Sequence, residues 1–332
     1  MYIETKHLHR YQTNAEFEAI YNGSGYTEPW VSYIDENERV DYNKSKLSVP
    51  FTIKMLDSGE FTMRNGTGSY SINGGAWTAY NQNFNVPVSV NSGDEIAFKS
   101  TAVGGICGLG KIYFHYVETP PTFNVFGNIM SVAYGDNFEG VKTLDVDMSS
   151  LLAEQDGLIS AKDLLLPATT LSGIASYSNM FQECRFLTSA PELPATVITD
   201  YCYESMFSGC TALTSGPSIL PATELKFGCY HEMFVGCESL TRAPELPATV
   251  LTGEGCYESM FEACYELSYI KALFLNEPCD ETTYENSYLT NWVRGVARNG
   301  TFVMNANAQW DPDNEDNRGF YGIPSNWTVQ DA

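Results

Sequence analysis

Positive charge is scarce in this chain: 18 lysines and arginines stand against 41 aspartates and glutamates, a formal charge of -23. Such a balance repels phosphate-bearing partners, and no run of the sequence gathers a basic patch, so nucleic acid and anionic membrane surfaces are not expected ligands. Histidine is scarcer still, with 4 residues, too few and too scattered for a histidine-built metal or catalytic centre. No stretch approaches the roughly 18 apolar residues of a membrane span. The opening segment from Met1 to Phe17 lacks a basic start followed by an apolar run, which predicts a chain neither exported by the usual route nor embedded in a membrane. Gly-x-Ser-x-Gly, His-Glu-x-x-His and close cysteine pairs are all missing, and with them the common signatures of hydrolases and zinc sites.

What the chain does have is turn-formers and rings. Its 332 residues include 27 glycines and 15 prolines, with 13% aromatic and 43% hydrophobic residues. That composition describes a folded, β-leaning protein of two or three domains. Cysteine is not rare, at 9 residues, but the odd count and the clustering at and after Cys184 argue for a repeated packing role rather than a disulfide framework.

The repeats are the most informative feature. Leu-Pro-Ala-Thr begins at Leu166, Leu193, Leu220 and Leu246, and Met-Phe recurs at Met180, Met206, Met233 and Met260, all at intervals of 26 or 27 residues. Cysteine pairs follow the same period: Cys202 with Cys210, Cys229 with Cys237, and Cys256 with Cys264, while Cys184 stands alone in the first copy. Cys202, Met206 and Cys210 fall at i, i+4 and i+8, a spacing that predicts one apolar face of a short helix. The proline-bounded stretch from Leu187 to Pro194 predicts one strand per copy. Neither element buries its own apolar face, so the copies are expected to stack into a continuous column.

Residues 164–275 resemble the BspA-type leucine-rich repeat proteins of gut Bacteroides and of their crAss-like phages. The resemblance rests on the Ala-Pro-Glu-Leu-Pro-Ala-Thr and Cys-Tyr-x-x-Met-Phe-x-x-Cys signatures. It implies a repeat solenoid used for binding, and no particular ligand. The segment containing Pro29, Trp30 and Tyr33 resembles the opening of structural proteins from Bacteroides phages, which implies a docking role for those three residues. The alternating runs from Leu47 to Glu118, punctuated by Asn65-Gly66, Asn73-Gly74-Gly75 and Ser92-Gly93-Asp94, read as an antiparallel sandwich with hairpin turns. That sandwich is similar to the immunoglobulin-like decorations of phage virions.

The expected architecture is therefore multidomain: an N-terminal docking arm (1–45), an all-β immunoglobulin-like sandwich (46–118), and a linker with N-terminal cap (119–163). An α/β leucine-rich-type solenoid of about four repeats (164–275) and a C-terminal cap (276–332) follow. The expected function is that of a non-enzymatic virion structural or adhesion protein, a tail or head fibre or decoration. It would contact other virion proteins through its N-terminal region and a host-surface glycan or protein through its repeats, with no cofactor and as a homo-oligomer. A bacterial cell-surface adhesin is the alternative, and a polysaccharide depolymerase the third reading. Candidate binding residues are Tyr201, Tyr265 and Tyr269, whose rings offer contact area for sugars, together with Glu192 and Glu245 at equivalent places two copies apart. Asp311, Asp313 and Asp316 form an oxygen-rich stretch that suits calcium, without the glycine and closing glutamate of a standard loop.

Overall fold

Alternating burial along short apolar strands gives two sheets packed face to face, antiparallel except for one parallel strand at an edge of the larger. The computed structural model describes residues 46–64, 66–80, 86–103, 111–115, 119–275, 288–308 and 322–332. Strands β1 (Thr52–Met55), β3 (Gly68–Ile72), β4 (Thr78–Tyr80), β6 (Glu95–Ser100), β8 (Phe123–Asn128) and β10 (Leu158–Leu165) form the larger sheet, in the order β10-β8-β1-β6-β3-β4. The smaller sheet is β5-β2-β7, from β2 (Gly59–Arg64), β5 (Val88–Val90) and β7 (Lys111–His115). Between them Phe61 meets Tyr70 at 5.6 Å and Phe98 at 5.9 Å, both edge-on, the geometry that ring quadrupoles favour. The one α-helix lying wholly within the described residues, α1 (Ser131–Tyr134), is a single turn. Its Ser131 hydroxyl accepts from Phe51 N and donates to Phe98 O, pinning the helix to the sheet.

Only one of the three expected hairpin turns joins partners in a sheet. Asn73 and Gly74 are both left-handed, with φ of 52° and 68°, and form a tight turn closed by Gly75 N donating to Ile72 O, at the start of the link between the paired strands β3 and β4. The turns at Gly66 and Gly93 instead carry the chain from the smaller sheet to the larger, from β2 to β3 and from β5 to β6.

The stretch 119–163, read from sequence as linker and cap, supplies β8 in the middle of the larger sheet and the start of β10 at its edge. Strand β10 runs parallel to β8 on one side. On the other it is bridged to the first repeat through Ser160 and Ser189. One apolar cluster therefore runs without a break from Phe51 in the sheets to Trp327 at the far end of the repeats.

The repeats stack, but they are not an α/β solenoid, and this corrects the expected fold class. The Cys-Tyr-x-x-Met-Phe-x-x-Cys segments are runs of consecutive turns in which every fourth residue is left-handed: Tyr201, Ser205 and Gly209 in one copy, Gly228, Glu232 and Gly236 in the next. Within a copy, Glu204 N, Met206 N and Ser208 N donate to the carbonyls of Tyr201, Tyr203 and Ser205. The alternate amides reach across: Tyr203, Ser205 and Phe207 donate to the carbonyls of Cys229, His231 and Met233. A helix would satisfy its amides internally; here half of them depend on the neighbouring copy. Because the conformation repeats every four residues, Cys202, Met206 and Cys210 still share one buried face, so the burial pattern fits a helix while the backbone does not. Left-handed backbone at a non-glycine residue costs on the order of 1 kcal/mol, and the cross-copy bonds hold it in place.

The stack runs on past the signatures at both ends. Residues 142–165 form a coil beneath the first copy: β9 (Thr143–Leu144) pairs in parallel with β11 (Thr170–Leu171), and Met148, Ser150 and Leu152 donate to Ser176, Ser178 and Met180. At the other end, β12 (Tyr269–Lys271) pairs with β13 (Thr301–Met304), which pairs with β14 (Thr328–Asp331), all in parallel. Inside the column Tyr177, Tyr203, Tyr230 and Tyr257 stack 5.6–5.8 Å apart. Phe181, Phe207, Phe234 and Phe261 stack 5.3–5.6 Å apart. Trp292, fully buried, closes both ladders.

Where copies differ in length, glycine carries the difference, in one place of necessity. The links of the first and fourth copies are one residue longer and contain Gly173 and Gly253. A Cβ on Gly253 would lie 2.1 Å from Lys226 O, whereas one on Gly173 would meet nothing closer than Ser176 Oγ at 3.4 Å. Gly253→Ala is expected to lower the unfolding free energy by about 1–3 kcal/mol through overpacking against backbone, and Gly173→Ala to change it by less than about 0.5 kcal/mol. Urea melts of the two variants check this, and equal effects would sink it.

Candidate functional site

On the outside of the stack, polar side chains act first as clips between coils. Thr188, Thr199, Thr214 and Thr252 donate their hydroxyls to the carbonyls of Ile159, Gly173, Thr188 and Leu225, at 2.7–3.1 Å. Glu192 accepts from both the amide and the hydroxyl of Ser218, the latter at 2.8 Å. Glu245 is paired with Lys271 Nζ at 2.8 Å. The two carboxylates thus serve different neighbours in successive coils.

The three candidate tyrosines do not form one platform. Tyr201 turns its ring edge-on to Phe227 at 5.2 Å and lies over Gly228, where a Cβ would come within 2.6 Å of the ring. Tyr269 is covered by the Arg242 guanidinium, 3.6 Å from the ring centroid, a cation–π contact. Tyr265 alone keeps a largely open ring, 56% exposed. Pro29, Trp30 and Tyr33, and the candidate calcium ligands Asp311, Asp313 and Asp316, lie outside the described residues. Among the described residues no three His, Cys, Asp or Glu side chains are grouped to hold a metal ion, and no helix is long and apolar enough to cross a membrane.

The seven cysteines among the described residues are packing residues, and four of them have a polar duty as well. Cys184, Cys210, Cys237 and Cys264 are fully buried, and their thiols donate to the carbonyls of Leu152, Phe181, Phe207 and Phe234 at 3.0–3.2 Å. Each bond reaches back one coil. Burial pushes the thiols of Cys184 and Cys229 up to about 12 and holds those of Cys202, Cys210, Cys237, Cys256 and Cys264 well above the ordinary thiol range. Nucleophilic chemistry at these sulfurs is suppressed, because the thiolate is the reactive form.

A second surface, invisible in the sequence, lies at the joint between sheet and stack. The outward-facing row of the larger sheet places Lys54 of β1 opposite Asn124 of β8, and Asn124 opposite Ser160 of β10. Strand β10 shifts register on both sides of Ser160. With Lys46 and Lys162 beside this row, and Phe126 and Val49 as apolar walls, the result is a cleft of about 380 Å³, within the small-molecule size range. Lys54 is paired with Glu95 at 2.8 Å, and Lys46 lies 3.9 Å from Asp163. Lys162 is exposed. The Asn124 side-chain carbonyl oxygen is buried and has no hydrogen-bond partner.

No family model, no curated protein and no solved structure matches this chain.

Proposed function

We propose that this chain is a non-enzymatic structural and adhesion protein of a phage virion, anchored by its N-terminal region and displaying the coil stack towards a host surface or a neighbouring virion subunit. One observation carries the non-catalytic part of the reading. Among the described residues the groups best suited to covalent chemistry, the seven cysteine thiols, are spent on packing and, for four of them, on coil-to-coil hydrogen bonds. A stack of near-identical coils grows by addition and presents an extended, rigid side wall, which suits display. Seven buried, unpaired cysteines also suit folding in a reducing cytoplasm, where virions assemble. The virion placement itself draws on the resemblance of the repeats and of the Pro29–Tyr33 segment to phage and Bacteroides surface proteins.

The test is proteomics of purified phage particles, with immunogold labelling by antibodies raised against residues 46–332. Stoichiometric presence with gold at a defined place on head or tail is the expected result. Absence from particles overturns the proposal and leaves the cell-surface adhesin, which protease shaving of intact bacteria then detects.

A further inference from the structure

We propose that Asn299 is a site of spontaneous deamidation, and that isoaspartate formed there releases the last strand of the stack. The reaction needs an asparagine side chain that can swing, a following main-chain nitrogen that can attack it, and no side chain on that next residue to obstruct the ring that forms. Two Asn-Gly pairs lie wholly within the described residues, Asn73-Gly74 and Asn299-Gly300, and the structure treats them oppositely.

Asn73 is latched. Its Nδ2 donates to Asp94 Oδ1 at 2.8 Å, and its Oδ1 accepts from Glu95 N at 2.9 Å. Both bonds oppose the rotation that brings the side-chain carbonyl carbon onto the Gly74 nitrogen. Asn299 is exposed and sits in a bend just before β13. Among the described residues neither its side chain nor the Gly300 amide has a hydrogen-bond partner. Gly300 is fixed by packing, since a Cβ there would lie 2.5 Å from Ser268 O and 2.6 Å from the Trp327 ring. The close approach that requires glycine at 300 is also what leaves Asn299 unshielded.

The Gly300 nitrogen attacks Asn299 Cγ, the bond from Cγ to the side-chain nitrogen breaks, and that nitrogen leaves as ammonia with the proton from Gly300. The product is a cyclic imide, closed readily because the reacting atoms are neighbours in one chain. Water then opens the ring at either carbonyl, giving aspartate or isoaspartate. One water is consumed and one ammonia released, and nothing is oxidised or reduced.

The position of Asn299 gives isoaspartate its effect. Ala297 O accepts from the Trp327 indole at 2.8 Å, and Gly300 O accepts from Thr328 N at 2.9 Å. Asn299 lies between these two acceptors, so an isoaspartyl link inserts an extra methylene between them and breaks their match to the adjacent donors. Strand β14 is largely exposed and pairs only with β13 among the described strands. Its release turns β13 into an open edge.

The experiment holds the full chain at mildly alkaline pH, below the ordinary thiol range, and follows it by peptide mass spectrometry with separation of the aspartyl and isoaspartyl peptides. Conversion of Asn299 at least about tenfold faster than that of Asn73 is the expected result, because two hydrogen bonds restrain Asn73 and none restrains Asn299. Hydrogen exchange of residues 322–332 should rise in step with isoaspartate at 299, while that of β3 and β4 stays unchanged. Asn299→Ala changes an exposed, unbonded side chain; it should keep the unfolding midpoint and abolish both effects. Conversion of Asn299 no faster than that of Asn73 overturns the site. Exchange that stays flat as isoaspartate accumulates, or rises equally in Asn299→Ala, overturns the release of β14.

Discussion

Trp292→Ala is expected to lower the unfolding free energy by about 3–5 kcal/mol, the range for truncating a large buried aromatic. The side chain is fully buried and touches four rings: Tyr257 at 6.4 Å, Phe261 at 6.0 Å, Phe274 at 6.2 Å and Phe302 at 6.2 Å. Its indole nitrogen donates to Gly322 O at 2.7 Å, so alanine also leaves a buried carbonyl unpaired, at a further cost of about 1–3 kcal/mol if water does not reach it. The main-chain bond from Phe261 N to Trp292 O survives the change. Energy in a coil stack is shared mainly between neighbours, so the damage spreads from the end inwards. Hydrogen exchange should accelerate first at the amides of Phe261 and Ala263, which bond to the last coil, and later at Tyr203 and Phe207, deep in the stack. Trp77→Ala, at a ring 40% exposed, is the control and should cost under about 1 kcal/mol. Equal melts for the two variants would sink the claim that Trp292 closes the column.

The repeat period and the identity of the buried column were legible because both are patterns of side-chain type. Tyr203, Met206, Phe207 and Cys210 recur at fixed intervals, and each lies in the interior. Backbone conformation was not legible, because a stripe at i, i+4 and i+8 fits an α-helix and equally fits a run of turns with a left-handed residue every four positions. The destination of the alternate amides decides between the two, and it lies a whole copy away in sequence. In the sequence the end coils read only as caps, 119–163 and 276–332, because they do not carry the signature: a terminal coil packs on one side only, and Leu152 stands where the repeats have phenylalanine and Trp292 where they have methionine. In the β region the alternation of Ile53, Met55, Ile96 and Phe98 marked strands correctly, yet Gly66 and Gly93 turn the chain between sheets as readily as within one. The chemistry of Glu192 could be read, but not that Ser218 of the next copy would claim its carboxylate. The cleft was beyond reach altogether, since Lys46, Lys54 and Lys162 approach one another only once β10 joins the sheet.

Alkaline pH should unfold the stack abruptly, and the thiol column sets where. In the folded chain burial holds seven thiols protonated, with Cys184 and Cys229 at about 12 against an ordinary value of 9.0. The remaining five are raised in the same sense. The buried phenols of Tyr203, Tyr230 and Tyr257 are likewise held above their ordinary range by burial. Above pH 9 the unfolded chain therefore binds fewer protons than the folded one, and stability falls as pH rises. The stabilisation is fully present below the ordinary thiol value and is lost on the way to the folded-state value. Each thiol contributes about 1.4 kcal/mol per pH unit in that window, so seven together remove on the order of 10 kcal/mol per unit, comparable with the roughly 5–15 kcal/mol that holds a typical domain together. The expected result is a cooperative loss of circular dichroism between about pH 9 and pH 11, with the seven buried thiols from Cys184 to Cys264 becoming reactive to Ellman's reagent together in the same transition. Replacing Cys202, Cys229 and Cys256 with alanine removes three of the titrating groups and should move the midpoint upward, although each substitution also removes buried sulfur and lowers stability at neutral pH. Thiols that react one after another near pH 9 while the fold persists would show that the column is open to solvent, and that the coils do not rise and fall together.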